Sequence, residues 1–497
     1  MELVKNLSRR QFIDGEWVES SNKETRKIIN PFNQEVIFEV AEGTADDSER
    51  AILAARRAFE DGEWANETSE TRGKKVRAIS DLIVKHREEL AKLETLDTGK
   101  TLEESYADMD DIANVFNFFA GLADKDGGEI IDSPIPNTES KVIKEPIGVV
   151  TQITPWNYPL LQASWKIAPA LASGCSLVMK PSEITPLTTI RVFELMEEVG
   201  FPQGVINLVL GKGSEVGEPL SSHKEVDLVS FTGGIQTGKH IMKNAADHVT
   251  NIALELGGKN PNIIFDDADF DLAVDQALNG GFFHAGQVCS AGARIIVHKD
   301  IKEKFEAALI KRIKNIKLGN GFDEDTEMGP VISAEHREKI ENYMEVAKSE
   351  NATIAIGGKR PEREDLQNGF FFEPTVITDC DTSMRIVQEE VFGPVVTIES
   401  FTTEAEAIEF ANDSIYGLAG GVFTNDVGKA ERVANKLKMG TVWINDFHPY
   451  FAQAPWGGYK QSGIGRELGK AGLAEYQEEK HILRNTNPEP VNWFGKA

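Results

Sequence analysis

From Pro146 onward the chain alternates short β-rich runs with helical segments, and this alternation restricts its fold more than any other feature. "PIGVVTQIT", "GCSLVMKPS", "GVINLVLGKG" and "VDLVSFTGG" are brief runs rich in Val, Ile and Leu, each bounded by Gly, Pro or Ser. Between them lie "PLLQASWKIAPALAS" and "TPLTTIRVFELMEEVG", with the length and apolar spacing of helices. Parallel strands need a crossover rather than a tight turn, so strand–helix–strand order predicts a parallel sheet covered by helices. A second such region begins after "NIALELGGKNPNIIF". It runs through "ARIIVHK", the helical "IKEKFEAALIKRIKNIK", "GFFFEPTVIT", "GGVFTND" and "GTVWIN". Upstream, Asp46–Phe59 and Arg77–Gly99 also have helical spacing. A chain of 497 residues is too long for one core, so two or three domains are expected.

The net charge of -27 repels phosphate backbones and anionic membranes, so neither nucleic acid nor a membrane is an expected partner. Three cysteines, Cys175, Cys289 and Cys380, make no disulfide framework and point to a reducing compartment. The start "MELVKNLSRRQFIDGEWVES" lacks the apolar stretch of a signal peptide, and no run approaches about 18 apolar residues. A cytoplasmic location is therefore expected. The tail has a strand-like "HILR" and then polar and Pro residues with Trp493 and Phe494, a pattern that suits an oligomer contact better than a solvated end.

Several short motifs have a chemical reading beside a plain one. Cys289 lies in "GFFHAGQVCSAGARIIV", among small residues, and is either a buried filler or a nucleophile. Gly233 and Gly234 in "VSFTGGIQTGKH" stand where a strand gives way to a helix, a place whose free N–H groups and dipole suit a pyrophosphate. Gly213 and Gly217 in "LGKGSEVGEPL" form a second glycine-rich turn, one residue longer than the usual dinucleotide fingerprint. Lys180 and Glu183 in "MKPSE" come after a strand, at the edge where open α/β sheets bind ligands. A carboxylate at Glu183 favours a ribose hydroxyl over a 2′-phosphate, hence NAD over NADP. Glu255 in "NIALELGGKNP" has a base's character if buried, yet by alternation Leu254 and Leu256 face inward and Glu255 faces water. Asn157 in "TPWNYPLL" either donates to an oxyanion or merely forms a turn.

Taken together and in order, "PWNYPL", "KPSE", "FTGG", "ELGGKNP", "GQVCSAGAR", "EEVFGPV" and "PWGGYKQSGIGRELG" resemble the aldehyde dehydrogenase superfamily, from about Phe12 to the tail. The resemblance implies an α/β fold in three parts. These are a Rossmann-like NAD domain (1–127 and 147–257), an α/β catalytic domain (258–457) and a small oligomerisation arm (128–146 and 477–497). It implies Cys289 as nucleophile, Glu255 as general base, and Asn157 with the Cys289 N–H as oxyanion hole. Lys166 and Glu467 match positions that relay protons or tune the base. The NAD site would take in Ile153, Trp156, Lys180, Glu183, Gly213, Gly217, Gly233, Gly234, Leu256, Glu390 and Phe392. The family commonly has serine where this chain has Gly234, and the missing hydroxyl predicts weaker NAD binding than in a Gly234→Ser variant.

Within the family the likeness is to members that oxidise betaine aldehyde to glycine betaine, an osmoprotectant. Tyr158 and Trp456 stand where many relatives have Phe, and with Trp165 they are expected to face a trimethylammonium group. Val288, Ser290, His448 and Tyr450 are expected along the same entrance. Another ω-amino or aliphatic aldehyde is the alternative substrate. From a different class, a cysteine hydrolase would pair Cys289 with a histidine such as His284, but it has no use for the glycine turns or Glu183. A homo-oligomer, dimer or tetramer, is implied. No metal site is assigned, although relatives often hold a monovalent cation, potassium, through backbone carbonyls.

Overall fold

The structure is a computed structural model and describes residues 3–125, 127–491 and 493–495. Of the expected domain ranges, Met1, Glu2, Asp126, Asn492, Lys496 and Ala497 lie outside the described residues.

The first alternating region builds an eight-stranded sheet. Its strands lie in the order Gly463–Ile464, Asn251–Glu255, Leu228–Thr232, Val149–Ile153, Ser176–Lys180, Ile206–Leu208, Gln11–Ile13, Glu16–Val18. The five strands from Asn251–Glu255 to Ile206–Leu208 are parallel, as the alternation predicts. Every residue of Leu228–Thr232, Val149–Ile153 and Ser176–Lys180 is buried, because helices cover both faces. Two of those helices, Pro159–Ser173 and Leu187–Val199, are the predicted crossovers and end on left-handed Gly174 and Gly200.

The second region forms a seven-stranded sheet ordered Thr353–Ile356, Thr375–Thr378, Val395–Phe401, Arg294–His298, Pro261–Ile264, Ala419–Phe423, Thr441–Ile444. It is parallel apart from its first strand. A third sheet pairs Gln477–Asn485 antiparallel to Thr138–Pro146, with Glu129–Ile131 on the far side. The strand-like "HILR" is thus the middle of a longer strand.

Two expectations need correcting. The segment Arg77–Gly99 is not one helix: Ser69–Lys85 ends and Arg87–Thr98 begins at His86, which leaves the helical region at φ −104°, ψ 17°. Its ring pairs with Glu89 Oε2 at 2.8 Å, one turn into the second helix. Glu255 does not face water either. Its strand lies between Leu228–Thr232 and Gly463–Ile464, inside a sheet covered on both sides, so period-two alternation carries no exposed face there.

Parallel strands deliver their carboxyl ends to one edge. That edge carries Trp156 and Asn157 after Val149–Ile153, Gly233 and Gly234 after Leu228–Thr232, and Leu256 to Gly258 after Asn251–Glu255. Cys289 precedes Arg294–His298 of the second sheet.

Candidate active site

Cys289 lies at the junction of two cavities, of 440 Å³ and 210 Å³, and lines both. The approach to it is sharply bent: His284, Ala285 and Gly286 have φ of 48°, 53° and 68°, three left-handed residues in succession. Asn260 pins the chain on either side of Ser290. Its Nδ2 donates to Cys289 O at 2.9 Å and Ala291 O at 3.0 Å, while its Oδ1 accepts from Ala419 N at 3.0 Å. The thiol is pushed up to about 12 by burial first and then by the carboxyls of Glu255 and Glu390. Cys175 is buried, with its thiol on Tyr476 O, and lies outside both cavity linings.

Asn157 is buried and donates from Nδ2 to Gln287 O at 2.8 Å. This bond ties it to the cysteine loop and leaves the second amide N–H for a ligand. Glu255 is 5% exposed, and its Oε1 has no hydrogen-bond partner. Burial, and then repulsion from Glu467, hold its carboxyl well above the usual range, against the pull of Lys166 and Arg466. The carboxylate has room because Gly457, at φ +154°, stands where a Cβ would fall 2.9 Å from Glu255 Oε1. Lys166 is fully buried and ion-paired with Glu467. Nucleophile, amide, carboxyl and ion pair are the parts of nucleophilic acyl chemistry: an attacking sulfur, a donor for the oxyanion, and a group able to take a proton from water.

The 210 Å³ cavity is lined by six of the eleven residues expected at the cofactor: Trp156, Gly233, Gly234, Leu256, Glu390 and Phe392. Glu390 accepts from Gly258 N at 2.8 Å, and burial raises its pKa. Gly257 leaves room for the Glu390 carboxyl, since a Cβ would lie 2.3 Å from its Oε2 and push that side chain aside. Gly234 caps the helix Ile235–Ala246 without a side-chain bond, and a Cβ on it would meet nothing within 4 Å. The other five are not in this lining. Ile153 and Lys180 end neighbouring strands and are register partners. Lys180 Nζ donates to Pro181 O at 2.8 Å and lies 3.5 Å from Glu183 Oε2. Burial pushes the Glu183 carboxyl up, but the Lys180 ammonium, a backbone hydrogen bond and Arg26 together outweigh it and leave the pKa lowered. Gly213–Gly217 is a single wide turn beyond Ile206–Leu208, further along the same carboxyl edge.

The sequence reading missed His336 and Lys339, which also line this cavity. The His336 ring packs on Trp156 at 5.1 Å, its Nε2 is 2.6 Å from Phe392 O, and burial lowers its pKa to about 4. It thereby holds Phe392, which has φ 62°. Both residues lie on Ala334–Ser349, a helix that carries none of the motifs.

The 440 Å³ cavity brings together all seven residues expected at the substrate: Tyr158, Trp165, Val288, Ser290, His448, Tyr450 and Trp456. Their arrangement differs from the expected grouping. Trp165, Tyr450 and Trp456 form a closed triangle with ring centroids 5.3, 5.9 and 6.1 Å apart. Tyr158 has one ring face covered, with Lys100 Nζ 4.2 Å from its centroid. Asp111, which accepts from Tyr450 Oη at 2.7 Å, and Asp108, ion-paired with Lys100 at 2.6 Å, also line the cavity. Burial, opposed by Lys100, puts the Asp108 pKa at about 7. These acids come from Leu102–Leu122, whose helical periodicity gives no hint of a site. His284 is no base for Cys289: it lines neither cavity, its ring meets Tyr158 edge to face at 5.3 Å, and its Nε2 is buried without a partner.

Comparison with known proteins agrees with this geometry. The model of the aldehyde dehydrogenase family matches residues 17–482. Betaine aldehyde dehydrogenase of Bacillus subtilis (strain 168) is 67% identical over 488 residues, covering 98% of this chain and 100% of that protein. Aminoaldehyde dehydrogenase 2 of Zea mays is 48% identical over 493 residues, covering 98% and 97%. Among solved structures, betaine aldehyde dehydrogenase of Staphylococcus aureus in complex with NAD+ superposes with a TM-score of 0.99 at 82% identity, covering 100% of this chain and 98% of that one.

Proposed function

The chain belongs to the aldehyde dehydrogenase family, and from that premise we propose that it oxidises betaine aldehyde to glycine betaine with NAD. The observation that carries the substrate is the closed triangle of Trp165, Tyr450 and Trp456 beside Cys289. Aromatic faces attract a quaternary ammonium by roughly 0.5–2 kcal/mol each. The similarity to the B. subtilis and S. aureus enzymes supports the same substrate. Asp111 and Asp108 in the cavity, and the similarity to the Z. mays enzyme, favour ω-amino aldehydes as a second substrate class.

The cavity beside Cys289 fits one end of a dinucleotide. It has an open glycine cap on a 12-residue helix, a glycine that leaves room for Glu390, and Thr232 Oγ1 buried without a partner. NAD, when bound there, supplies the hydride acceptor. Trp156, Gly233, Gly234, Leu256, Glu390 and Phe392 would hold it, with Ile153, Lys180, Glu183, Gly213 and Gly217 toward its adenosine end.

The Cys289 thiol gives its proton to solvent water and attacks the aldehyde carbon as the thiolate, and the free N–H of Asn157 with the N–H of Cys289 takes up the oxyanion. The thiohemiacetal loses its hydride and leaves a thioester on Cys289. Glu255 then removes a proton from water, which attacks the thioester and releases the acid. Lys166 and Glu467 hold charge behind Glu255 and pass its proton outward.

The expected organisation is kept as part of this reading: an NAD unit at 1–127 and 147–257, a catalytic unit at 258–457, and an arm at 128–146 and 477–497. The third sheet, with its exposed Ile130, Ile482 and Leu483, supports an oligomerisation role for the arm. Light scattering would separate dimer from tetramer. A cytoplasmic osmoprotective role accords with the product, and no helix among the described residues is long and apolar enough to cross a membrane. Activation by potassium would be checked by replacing it with another monovalent cation in the assay.

The test is NADH formation from betaine aldehyde and from its uncharged isostere 3,3-dimethylbutanal, by native protein and Cys289→Ala. Strong preference for the charged aldehyde, with an inactive variant, is the expected result. Equal use of both aldehydes would overturn the substrate, and an active Cys289→Ala would overturn the mechanism.

A further inference from the structure

The two cavities have three lining residues in common: Cys289, Tyr158 and Gln162. The mechanism gives the first a role, and Lys100 occupies one face of the second. Gln162 has neither role nor partner. It stands on the helix Pro159–Ser173, four residues after Tyr158 and three before Trp165, so it falls between them on the helix face turned to the cavity. It is 5% exposed, and its Oε1 is buried with no hydrogen-bond partner. No described residue accepts from its Nε2 either. An amide so placed is costly, because a buried polar atom left unpaired loses its hydration without return. Since no protein partner fixes the amide, a half-turn about its last torsion exchanges oxygen and nitrogen at almost no change in shape.

We propose that Gln162 is a specificity-determining residue whose side-chain amide turns its oxygen toward the cationic end of the aldehyde as that group sits between Cys289 and Trp165. This rests on the reading of the substrate as a cationic aldehyde. In a two-carbon aldehyde the ammonium is one carbon removed from the reacting carbonyl, so it lies beside Gln162 when the carbonyl is at Cys289. A trimethylammonium group meets the amide oxygen through charge and dipole, and a primary ammonium donates a hydrogen bond to it. A neutral tert-butyl group does neither and leaves the amide unpaired. The preference therefore comes from Gln162 as well as from the aromatic triangle.

The test uses the full chain with Gln162→Met, which nearly conserves volume, and reads kcat/KM for betaine aldehyde, 3-aminopropanal and 3,3-dimethylbutanal. Betaine aldehyde should lose about tenfold, the size of one interaction with a charged group, and 3-aminopropanal more. The neutral aldehyde should hold its value or gain. Equal losses for all three aldehydes would mean damage to the site rather than selection, and would overturn the proposal. An unselective native enzyme overturns the substrate reading as well. A selective native enzyme whose preference survives the substitution overturns the role of Gln162 alone. Gln162→Leu gives the same ratios should the methionine variant not accumulate as soluble protein.

Discussion

Replacing Gly234 by serine should tighten NAD binding, and the structure shows why the substitution carries little cost. The backbone at Gly234 has φ −73° and ψ 146°, an extended conformation open to any L-residue. A Cβ there meets nothing within 4 Å, and no side chain caps the helix Ile235–Ala246 that Gly234 begins. A serine hydroxyl has two uses at this place. It can donate to a phosphate held at the helix N-terminus, or accept from the amide of Gln236 or Thr237 as an ordinary cap. The first adds one hydrogen bond, about 0.5–1.5 kcal/mol, or roughly a two- to tenfold lower Kd. The second stabilises the fold by only a few tenths of a kcal/mol, since glycine is itself tolerated at the cap. Calorimetric titration of NAD into both proteins measures the first, and thermal unfolding without NAD measures the second. An unchanged or weaker Kd would refute the phosphate contact, and a raised Tm alongside it would show the hydroxyl spent on the helix.

Glu255→Gln should slow thioester hydrolysis by about 10²–10⁴-fold while leaving a stoichiometric burst of NADH, seen by rapid mixing. In the native protein the raised Glu255 pKa means the base form is lost as pH falls through a value above the usual carboxylate range, so the hydrolysis rate should drop there, and the glutamine variant should lack that limb. With the Cys289 thiol at about 12, alkylation of the protein without ligand by iodoacetamide should climb steadily from about pH 7 to about pH 9, and a plateau inside that window would contradict the raised-thiol account. Lys100→Met leaves Asp108 and Glu94 buried without their cation and should cost about 3–5 kcal/mol, read by denaturant unfolding.

The sequence was most informative where function requires a fixed local pattern. Cys289, Asn157, Gly233 and Gly234 sit in short motifs, and the parallel strands around them are buried throughout because both sheet faces are covered. The same burial misleads at Glu255: alternation implies one wet face, and a strand inside a doubly covered sheet has none. What stayed hidden was contributed at long range. Asp111 reaches the substrate cavity from a helix more than three hundred residues before its partner Tyr450, and His336 reaches Phe392 across a different sheet connection. Lys100 over Tyr158 belongs to the same class, since nothing local to either residue announces the other.

The charges around Cys289 bear on why a cationic aldehyde suits this site beyond the fit of its methyl groups. The thiol is held high by burial and by the carboxyls of Glu255 and Glu390, each of which burial raises in turn. Asp108 and Asp111 also line the substrate cavity. A positive group entering the cavity opposes the same field that suppresses the thiolate, so the substrate carries part of the activation of its own nucleophile. A neutral isostere forfeits both terms, the attraction of the Trp165, Tyr450 and Trp456 faces and the help with ionisation. The first appears in KM and the second in the rate of attack. Backbone geometry joins this cage to the base: Trp456 and Glu467 exchange paired hydrogen bonds of 2.7 Å, so the segment that places a wall of the cage also places the carboxylate behind Glu255. A substitution that displaces Trp456 should therefore slow hydrolysis as well as weaken substrate binding, which distinguishes a coupled site from an independent pocket.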